Sequence, residues 1–125
     1  MSNWPNEQLD RIGASDELEI TTRRGDGSLR PWVPIWVVRV GDDLYVRSYR
    51  GIDGAWFRHA TASGTARIRA GGLERDVILA EPVEASVHEQ VDSGYQGKYG
   101  RYGGSYVTRM TSPAAIATTV RLIPA

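Results

Sequence analysis

Two very short turns constrain the fold of this chain more than any other feature of its sequence. Each turn lies between two runs that are rich in β-branched and aromatic residues, which are typical of strands. The turns are Gly41-Asp42-Asp43, between residues 31–40 and 44–49, and Gly71-Gly72, between residues 64–70 and 73–83. Because a parallel crossover needs about a dozen residues or more, these runs must pair as antiparallel hairpins. A doubly wound parallel sheet is therefore excluded.

Two further runs complete a predicted set of six strands. Residues 18–23 alternate polar and apolar side chains and lead into a glycine-containing hairpin loop, and residues 115–123 form the last strand. Pro31 and Pro34 remove backbone donors, so the start of the strand at 31–40 is expected at a sheet edge or a bend. Six strands joined by short hairpins favour an antiparallel barrel or sandwich.

Short helices are predicted beside these strands, within one domain. A chain of 125 residues supplies one hydrophobic core, so residues 1–125 are expected to form a single unit. The predicted helices are at 4–13 within an N-terminal helical segment (1–15), at 53–62, and at the start of residues 84–112. Because glycine weakens helices, this last helix is expected to weaken at Gly94 and Gly97, and a Tyr/Gly-rich loop follows at 99–106.

The charges of the chain cancel. Fifteen basic and fifteen acidic residues give a formal net charge of zero, so no overall field attracts nucleic acid or an anionic membrane. The chain has no cysteine, which excludes disulfides, thiolate metal sites and a cysteine nucleophile. No apolar run approaches the roughly 20 residues that cross a bilayer, and the N-terminus lacks the order of a secretion signal. A cytoplasmic protein without nucleic-acid or membrane partners is expected.

No self-contained catalytic motif is present in the sequence. His59 and His88 have no partner at metal-ligand spacing, and Asp42-Asp43 is typical of a tight turn. A nucleophile elbow, a phosphate-loop lysine and a dinucleotide fingerprint are all missing. If the protein is an enzyme, its reactivity is therefore expected to come from a cofactor.

The segment 45–60, YVRSYRGIDGAWFRHA, concentrates positive charge and aromatic surface at one turn. The turn itself contains Arg47, Ser48, Arg50 and Gly51. Guanidinium groups, a hydroxyl and a permissive backbone are the donor set that binds a phosphate, and the helix beginning near Asp53 would add the partial charge of its N-terminus. The alternative is an exposed arginine-rich turn before a helix that Trp56 anchors in the core.

The order of these features resembles the FMN- and deazaflavin-binding split β-barrel superfamily, which includes pyridoxamine-phosphate-oxidase-like proteins and deazaflavin-dependent nitroreductases. The resemblance covers Thr21 to Val83 and is carried by TTRRGDGSLRPWVPIWVVRVGDDLYVRSYRGIDGAWFRHATASGTARIRAGG. Over nearly all residues, including YQGKYGRYGGSYVTRM and TTVRLIPA, the chain resembles more closely a bacterial family known as domain of unknown function 2255.

The superfamily implies a mainly β fold, a six-stranded antiparallel split β-barrel with Greek-key topology and a few short helices. It also implies a dimer that binds FMN or a deazaflavin coenzyme of the F420 type in a groove at the subunit interface. The residues that correspond to the cofactor site are Arg47, Ser48, Tyr49, Arg50, Gly51 and Arg58 for the phosphate, and Trp32, Pro34, Ile35 and Trp36 for the ring. Ser28-Leu29 and His59-Ala60 depart from the usual pattern, which leaves open a barrel without a cofactor.

The tyrosine-rich segment has four interpretations, one of which is disfavoured. Its aromatic residues are Tyr95, Tyr99, Tyr102 and Tyr106, with Lys98 and Arg101 between them. Stacking on single-stranded nucleic acid is disfavoured by the zero net charge and the lack of a longer basic stripe. A lid over a planar ring, a dimer contact, or a loop that only covers one end of the barrel all fit an apolar ring with a polar tip.

These features favour a split-barrel oxidoreductase that transfers hydride between a reduced flavin or deazaflavin and a small planar acceptor. His59 and Tyr99 are the candidate proton donors. A homodimer is expected because Trp32, Trp36 and Val38 exceed the apolar surface that one small core hides. The alternatives are a non-catalytic module that binds a small anionic or aromatic ligand, and a purely structural homodimer.

Overall fold

The computed structural model describes residues 4–81, 85–102 and 104–125, which form one sheet with helices packed around it. The strands are β1 (Leu18–Thr21), β2 (Val33–Ile35), β3 (Val37–Val40), β4 (Asp43–Val46), β5 (Thr65–Ala70), β6 (Leu73–Ala80) and β7 (Val120–Pro124). The helices are α1 (Asn6–Ala14), α2 (Ala55–Ser63), α3 (Val87–Tyr99), α4 (Gly104–Met110) and α5 (Pro113–Ile116). Single 3-10 turns lie at Gly51–Asp53 and Gly100–Tyr102.

The sheet is antiparallel throughout and nearly closes on itself. Its strand order is β2-β1-β5-β6-β7-β4-β3, so the two edge strands are neighbours in the chain. Only Trp36 separates β2 from β3, and the chain crosses from one edge of the sheet to the other at this residue. The prediction of an antiparallel split β-barrel is confirmed, with the split at Trp36.

The number of strands is seven and not the predicted six. The run 31–40 was expected to form one strand, but it is divided into β2 and β3 because it bends at Trp36 and pairs with different neighbours on each side. Pro34 lies in the edge strand β2, where a missing backbone donor costs little. The expectation of an edge or a bend near Pro31 and Pro34 is confirmed.

The barrel interior and helix α1 form the main hydrophobic core. Leu9 and Ile12, one turn apart on α1, are completely buried. Trp4 precedes this helix, and its indole N–H donates to the carbonyl of Leu122 on β7 at 2.8 Å. The interior side chains they join include Leu18, Ile20, Val37, Leu44, Val46, Ile68, Val77 and Leu122. The helix predicted at 4–13 is therefore confirmed, and it closes one end of the core.

Helix α3 builds a second core on the outer face of β3 and β4. Its buried residues recur every four positions, as Val87, Val91, Tyr95 and Tyr99, and they pack on Val38 and Tyr45. Gly94 and Gly97, where the sequence predicted a weaker helix, do not interrupt α3, because burial of a continuous stripe outweighs the low helix propensity of glycine. The residues predicted as a loop at 99–106 instead continue into a 3-10 turn and α4.

Other element boundaries are close to those predicted, with one exception before the last strand. Helix α5 occupies part of the predicted strand 115–123, and β7 begins only at Val120. The Ser112 hydroxyl caps α5 by accepting from the amide of Ala115 at 3.4 Å. The predicted junction between strand and helix at 82–84 lies outside the described residues. In the described parts of the chain, no helix is both long and apolar enough to cross a membrane.

Candidate functional site

A cavity of about 500 Å³ opens where the barrel splits. Five parts of the chain form its walls: the residue before β1, the bend between β2 and β3, the segment after β4, the start of α2, and α4. The lining residues are Glu17, Val33, Pro34, Ile35, Trp36, Arg47, Ser48, Tyr49, Arg50, Gly54, Ala55, Trp56, Tyr106 and Met110. This size lies in the range of small-molecule and cofactor sites, roughly 300–1,000 Å³.

One wall of the cavity is apolar and is held rigidly. Trp36 lines it beside Pro34 and Ile35. The Trp36 ring stacks on Tyr99, with the ring centroids 4.1 Å apart and the planes 1° from parallel. The Tyr99 hydroxyl accepts from the Val37 amide and donates to the Val37 carbonyl, both at 3.1 Å. Tyr99 therefore fixes the indole from behind.

Ser48 supplies an unsatisfied hydroxyl to the lining of the cavity. Its amide donates to the Thr118 hydroxyl at 2.8 Å, which holds the backbone in place. Ser48 is 1% exposed, and its Oγ has no hydrogen-bond partner among the described residues. A Cβ on Gly54 would lie 2.3 Å from this Oγ. Residue 54 can therefore lie this close to the hydroxyl only because it has no side chain.

Helix α2 begins at the same place and presents free backbone donors. Gly54 is its N-cap and has no side chain to satisfy the first turn. The first amide that bonds within the helix is that of Arg58, which donates to the Gly54 carbonyl at 3.0 Å. The preceding amides lie at the positive end of a nine-residue helix, and Ala55 and Trp56 also line the cavity. This end of the cavity favours an anion.

Arg47 is not the solvated arginine that the sequence led us to expect. It is 1% exposed and forms an ion pair with Asp92 on α3. Its Nε donates to the Thr119 hydroxyl at 2.8 Å, and one terminal nitrogen donates to the Met110 carbonyl at 3.0 Å. Because the charge is neutralised and the donors are used inside the protein, Arg47 does not converge with Arg50 on one anion.

The remaining predicted phosphate residues divide between the cavity and its surroundings. Tyr49 and Arg50 line the cavity and are exposed. Gly51 adopts a left-handed φ of 65° and faces Ala114. Arg58 lies exposed on α2, beyond the described lining of the cavity.

The other predicted residues lie apart from the cavity. Trp32 packs under the guanidinium of Arg69, whose Cζ is 4.2 Å from the ring centroid. His59 is exposed on α2, and Tyr99 lies behind Trp36 with its hydroxyl bonded to the backbone. Of the ring-binding set, the cavity brings together Pro34, Ile35 and Trp36.

The predicted site residues omitted seven residues of the lining: Glu17, Val33, Gly54, Ala55, Trp56, Tyr106 and Met110. Trp56 was expected to be a buried anchor, but it is half-buried and faces the cavity while it packs against the edge of the core beside Phe57. The only local signal for Gly54 was its position at the predicted start of a helix. Tyr106 belongs to the tyrosine-rich segment that was considered as a lid over a planar ring, whereas Glu17 comes from a distant part of the chain and no local pattern relates it to this site.

Burial shifts the ionisation of the groups behind Trp36. It raises the pKa values of Tyr95 and Tyr99 above their ordinary value, so both hydroxyls stay neutral. Burial also lowers the pKa of Lys98 to about 8. The Lys98 ammonium donates to the Val37 carbonyl at 2.8 Å and lies 5.0 Å from the centroid of the Tyr99 ring. Within the described ranges, no group of acidic or histidine side chains has the arrangement of a metal site.

Residues 8–122 match the model of a family described as "Uncharacterized protein conserved in bacteria (DUF2255)". The chain belongs to this family. The match covers residues that include the lining of the cavity and the α3–α4 segment. No curated protein matches the chain.

The split barrel of the DUF2255 protein is similar to several solved structures. HutZ, the heme storage protein from Vibrio cholerae, is 12% identical, with 100% of this chain and 92% of that chain covered and a TM-score of 0.64. An F420-H2 dependent reductase is 19% identical, with 86% and 93% covered and a TM-score of 0.61. An FAD-binding protein from Mesorhizobium loti is 16% identical, with 98% and 90% covered and a TM-score of 0.59. At these identities the likeness shows the fold alone, and the three names refer to three different ligands.

Proposed function

We propose that this protein is an oxidoreductase that binds a phosphate-bearing flavin or deazaflavin and serves hydride transfer to a small planar acceptor. The observation that carries the proposal is the buried, unpartnered hydroxyl of Ser48, which lies beside the uncapped start of α2. An orphaned polar atom at a helix N-terminus, in a cavity of cofactor size, is a site prepared for an anionic ligand.

The phosphate would be held by three kinds of donor. Ser48 offers its hydroxyl, the first turn of α2 offers backbone amides, and exposed Arg50 offers an adaptable guanidinium. Gly54 keeps the space between the hydroxyl and the helix open, since a methyl group there would contact Ser48 Oγ. Arg47 has a positioning role: its bonds to Thr119 and Asp92 hold the end of β4, from which Ser48 follows directly.

The ring would pack against the apolar wall. Pro34, Ile35 and Trp36 form that wall, and the half-buried Trp56 adds a second aromatic surface. The stack of Trp36 on Tyr99 keeps the wall from collapsing into the cavity. Planar heteroaromatic ligands are bound in this way, by rigid apolar contact and a few polar anchors.

The coenzyme would supply two-electron hydride chemistry, and the chain would bind, orient and shield it. Among the lining residues, Ser48, Tyr49 and Tyr106 carry hydroxyl groups. Tyr49 and Tyr106 are exposed at the mouth, where protons exchange with solvent. These two tyrosines are therefore better candidates for proton transfer than His59, which lies outside the described lining, or Tyr99, whose hydroxyl is bonded to Val37.

A fluorescence titration with FMN, riboflavin and a phosphorylated deazaflavin tests the proposal. Ser48→Ala and Arg50→Ala should each weaken binding of the phosphorylated ligands by about tenfold or more and change riboflavin binding little, since hydrogen bonds to charged groups are the strong ones. Arg58→Ala is the matched control, because this arginine is exposed on the same helix outside the described lining. Absence of flavin and deazaflavin binding by the unmodified protein would instead support a non-catalytic module.

We also propose that the protein is a homodimer whose interface borders the cavity mouth. Val33, Tyr49 and Tyr106 line the cavity yet are 36%, 44% and 51% exposed, and Ile52 nearby is 66% exposed. Val38, which was expected to need a partner, is covered by α3. Light scattering should give the mass of two chains at micromolar concentration. Ile52→Asp should dissociate the dimer and Ile78→Asp, on β6, should not; a monomeric unmodified protein would contradict this proposal.

A further inference from the structure

Glu17 is a charged residue of the cavity that the proposed function does not use. It lies just before β1 and lines the cavity. The acidic residues on either side are paired, Asp16 with Arg101 at 2.6 Å and Glu19 with Arg69 at 2.9 Å. Among the described residues, the Glu17 carboxylate has neither an ion pair nor a hydrogen bond. Its negative charge is therefore available to a ligand.

An aromatic corner adjoins this carboxylate. In the antiparallel pairing of β1 with β2, Leu18 lies opposite Ile35. Glu17 directly precedes β1 and Trp36 directly follows β2, so these two residues come next in the same register. The ring centroids of Trp36 and Tyr106 are 6.5 Å apart, with the planes inclined at 63°. Two rings set at a steep angle beside a carboxylate form the kind of surface that binds organic cations, because the faces of aromatic rings attract positive charge.

The arginines of the cavity do not neutralise the negative charge of Glu17. The Arg47 guanidinium is buried and paired with Asp92. Arg50 is exposed in the segment after β4, and among the described residues it forms no ion pair with Glu17. Neither arginine of the lining therefore pairs with the Glu17 carboxylate.

We propose that Glu17, with the corner formed by Trp36 and Tyr106, is a specificity-determining site that selects a small planar organic cation, such as an N-alkylated heteroaromatic ring. The identification of this cation as the hydride acceptor rests on the proposed function, but its binding does not. A neutral ring of the same shape would gain the apolar contacts and lose the attraction of the carboxylate and the ring faces.

Calorimetric titration of the cofactor-free protein with N-methylquinolinium and with quinoline at pH 8 tests this inference. The unmodified protein should bind the cation more tightly than the neutral ring, and Glu17→Gln should remove about three- to fivefold of that preference, as expected for a partly solvated charge pair. Glu89→Gln is the matched control, because this glutamate is exposed on α3 away from the described lining. Tyr106→Leu should also weaken binding of the cation more than binding of the neutral ring.

Three results would overturn the inference. They are equal affinity of the unmodified protein for both probes, binding of neither probe, and a full cation preference retained in Glu17→Gln. Since no flavin is present in these titrations, their outcome is independent of FMN binding at Ser48. If the unmodified protein does not bind FMN in the fluorescence titration but prefers the cation here, the proposed cofactor is rejected and the cation site is kept.

Discussion

Arg47 and Asp92 form an ion pair in which the arginine side chain is completely buried and the carboxylate is 27% exposed. Arg47 is the residue directly after β4, and Asp92 lies in the middle of α3. The same guanidinium also donates to the carbonyl of Met110 on α4 and to the hydroxyl of Thr119 before β7. One side chain therefore joins the barrel to both helices of the second core.

Removal of either partner of this pair should destabilise the protein strongly. Asp92→Ala leaves a buried guanidinium without its counter-charge, and Arg47→Ala leaves a void and unpaired acceptors. Each change should lower the free energy of unfolding by about 3–5 kcal/mol. The control is Arg50→Ala, three residues along the chain and exposed, which should change it by less than about 0.5 kcal/mol. Urea unfolding measures all three; equal effects of Arg47→Ala and Arg50→Ala would show that Arg47 is not a structural residue.

Two glycines of α3 should respond in opposite ways to substitution by alanine. A Cβ on Gly94 would lie 2.2 Å from Cγ1 of Val38, so Gly94→Ala should force α3 away from β3 and cost about 1–3 kcal/mol. A Cβ on Gly97 would meet no atom of the described residues within 4 Å. Gly97→Ala should therefore raise stability by up to about 1 kcal/mol through helix propensity. Thermal unfolding of the two variants checks this, and destabilisation of the same size in both would contradict the packing.

Lys98 should make stability rise with pH above about 8. Its folded-state pKa is lowered to about 8 by burial, from an ordinary value of 10.5. Between these values the unfolded chain holds the proton and the folded chain has released it, so the free energy of unfolding increases with pH; below about pH 8 the burial penalty is fully present. The raised pKa values of Tyr95 and Tyr99 act only at higher pH.

The comparison with Lys98→Met isolates this effect. Urea unfolding at pH 7.5 and pH 9.5 should show that the stability of the unmodified protein relative to the variant increases at the higher pH. A difference between the two proteins that stays constant with pH would mean that the ammonium is solvated.

The sequence predicted those parts of the fold that depend on local signals. Gly41 and Gly71-Gly72 each adopt the positive φ of a tight turn, and the hairpins lie where these turns place them. Pro34 indicated the edge strand and the bend that splits the barrel. Such signals act over a few residues, so they can be recognised in a single sequence.

The composition of the cavity could not be predicted because its residues meet through tertiary packing. Arg47 looked like a surface arginine because its partner, Asp92, is 45 residues away. Helix α3 was expected to weaken at Gly94 because glycine was weighed by its propensity alone, although the spacing of Val87, Val91 and Tyr95 carried the opposite signal. The turn at Ser48 and Arg50 was recognised as a candidate site, but its geometry depends on Gly54, whose importance is visible only next to Ser48.

Gly54→Ala tests the central claim, that the space between Ser48 and the start of α2 receives a phosphate. The added methyl group would lie 2.3 Å from Ser48 Oγ unless Ser48 or α2 shifts, and Gly54 has a φ of −62° that alanine adopts without strain. We therefore expect a cost of about 1–3 kcal/mol, as for Gly94→Ala, with the fold kept, and thermal unfolding checks this. The measurement is the ratio of the affinities for FMN and riboflavin in the unmodified protein and in the variant. We predict a ratio of about ten or more in the unmodified protein and close to one in Gly54→Ala. The same high ratio in both proteins, or a ratio of one in the unmodified protein, would contradict the claim.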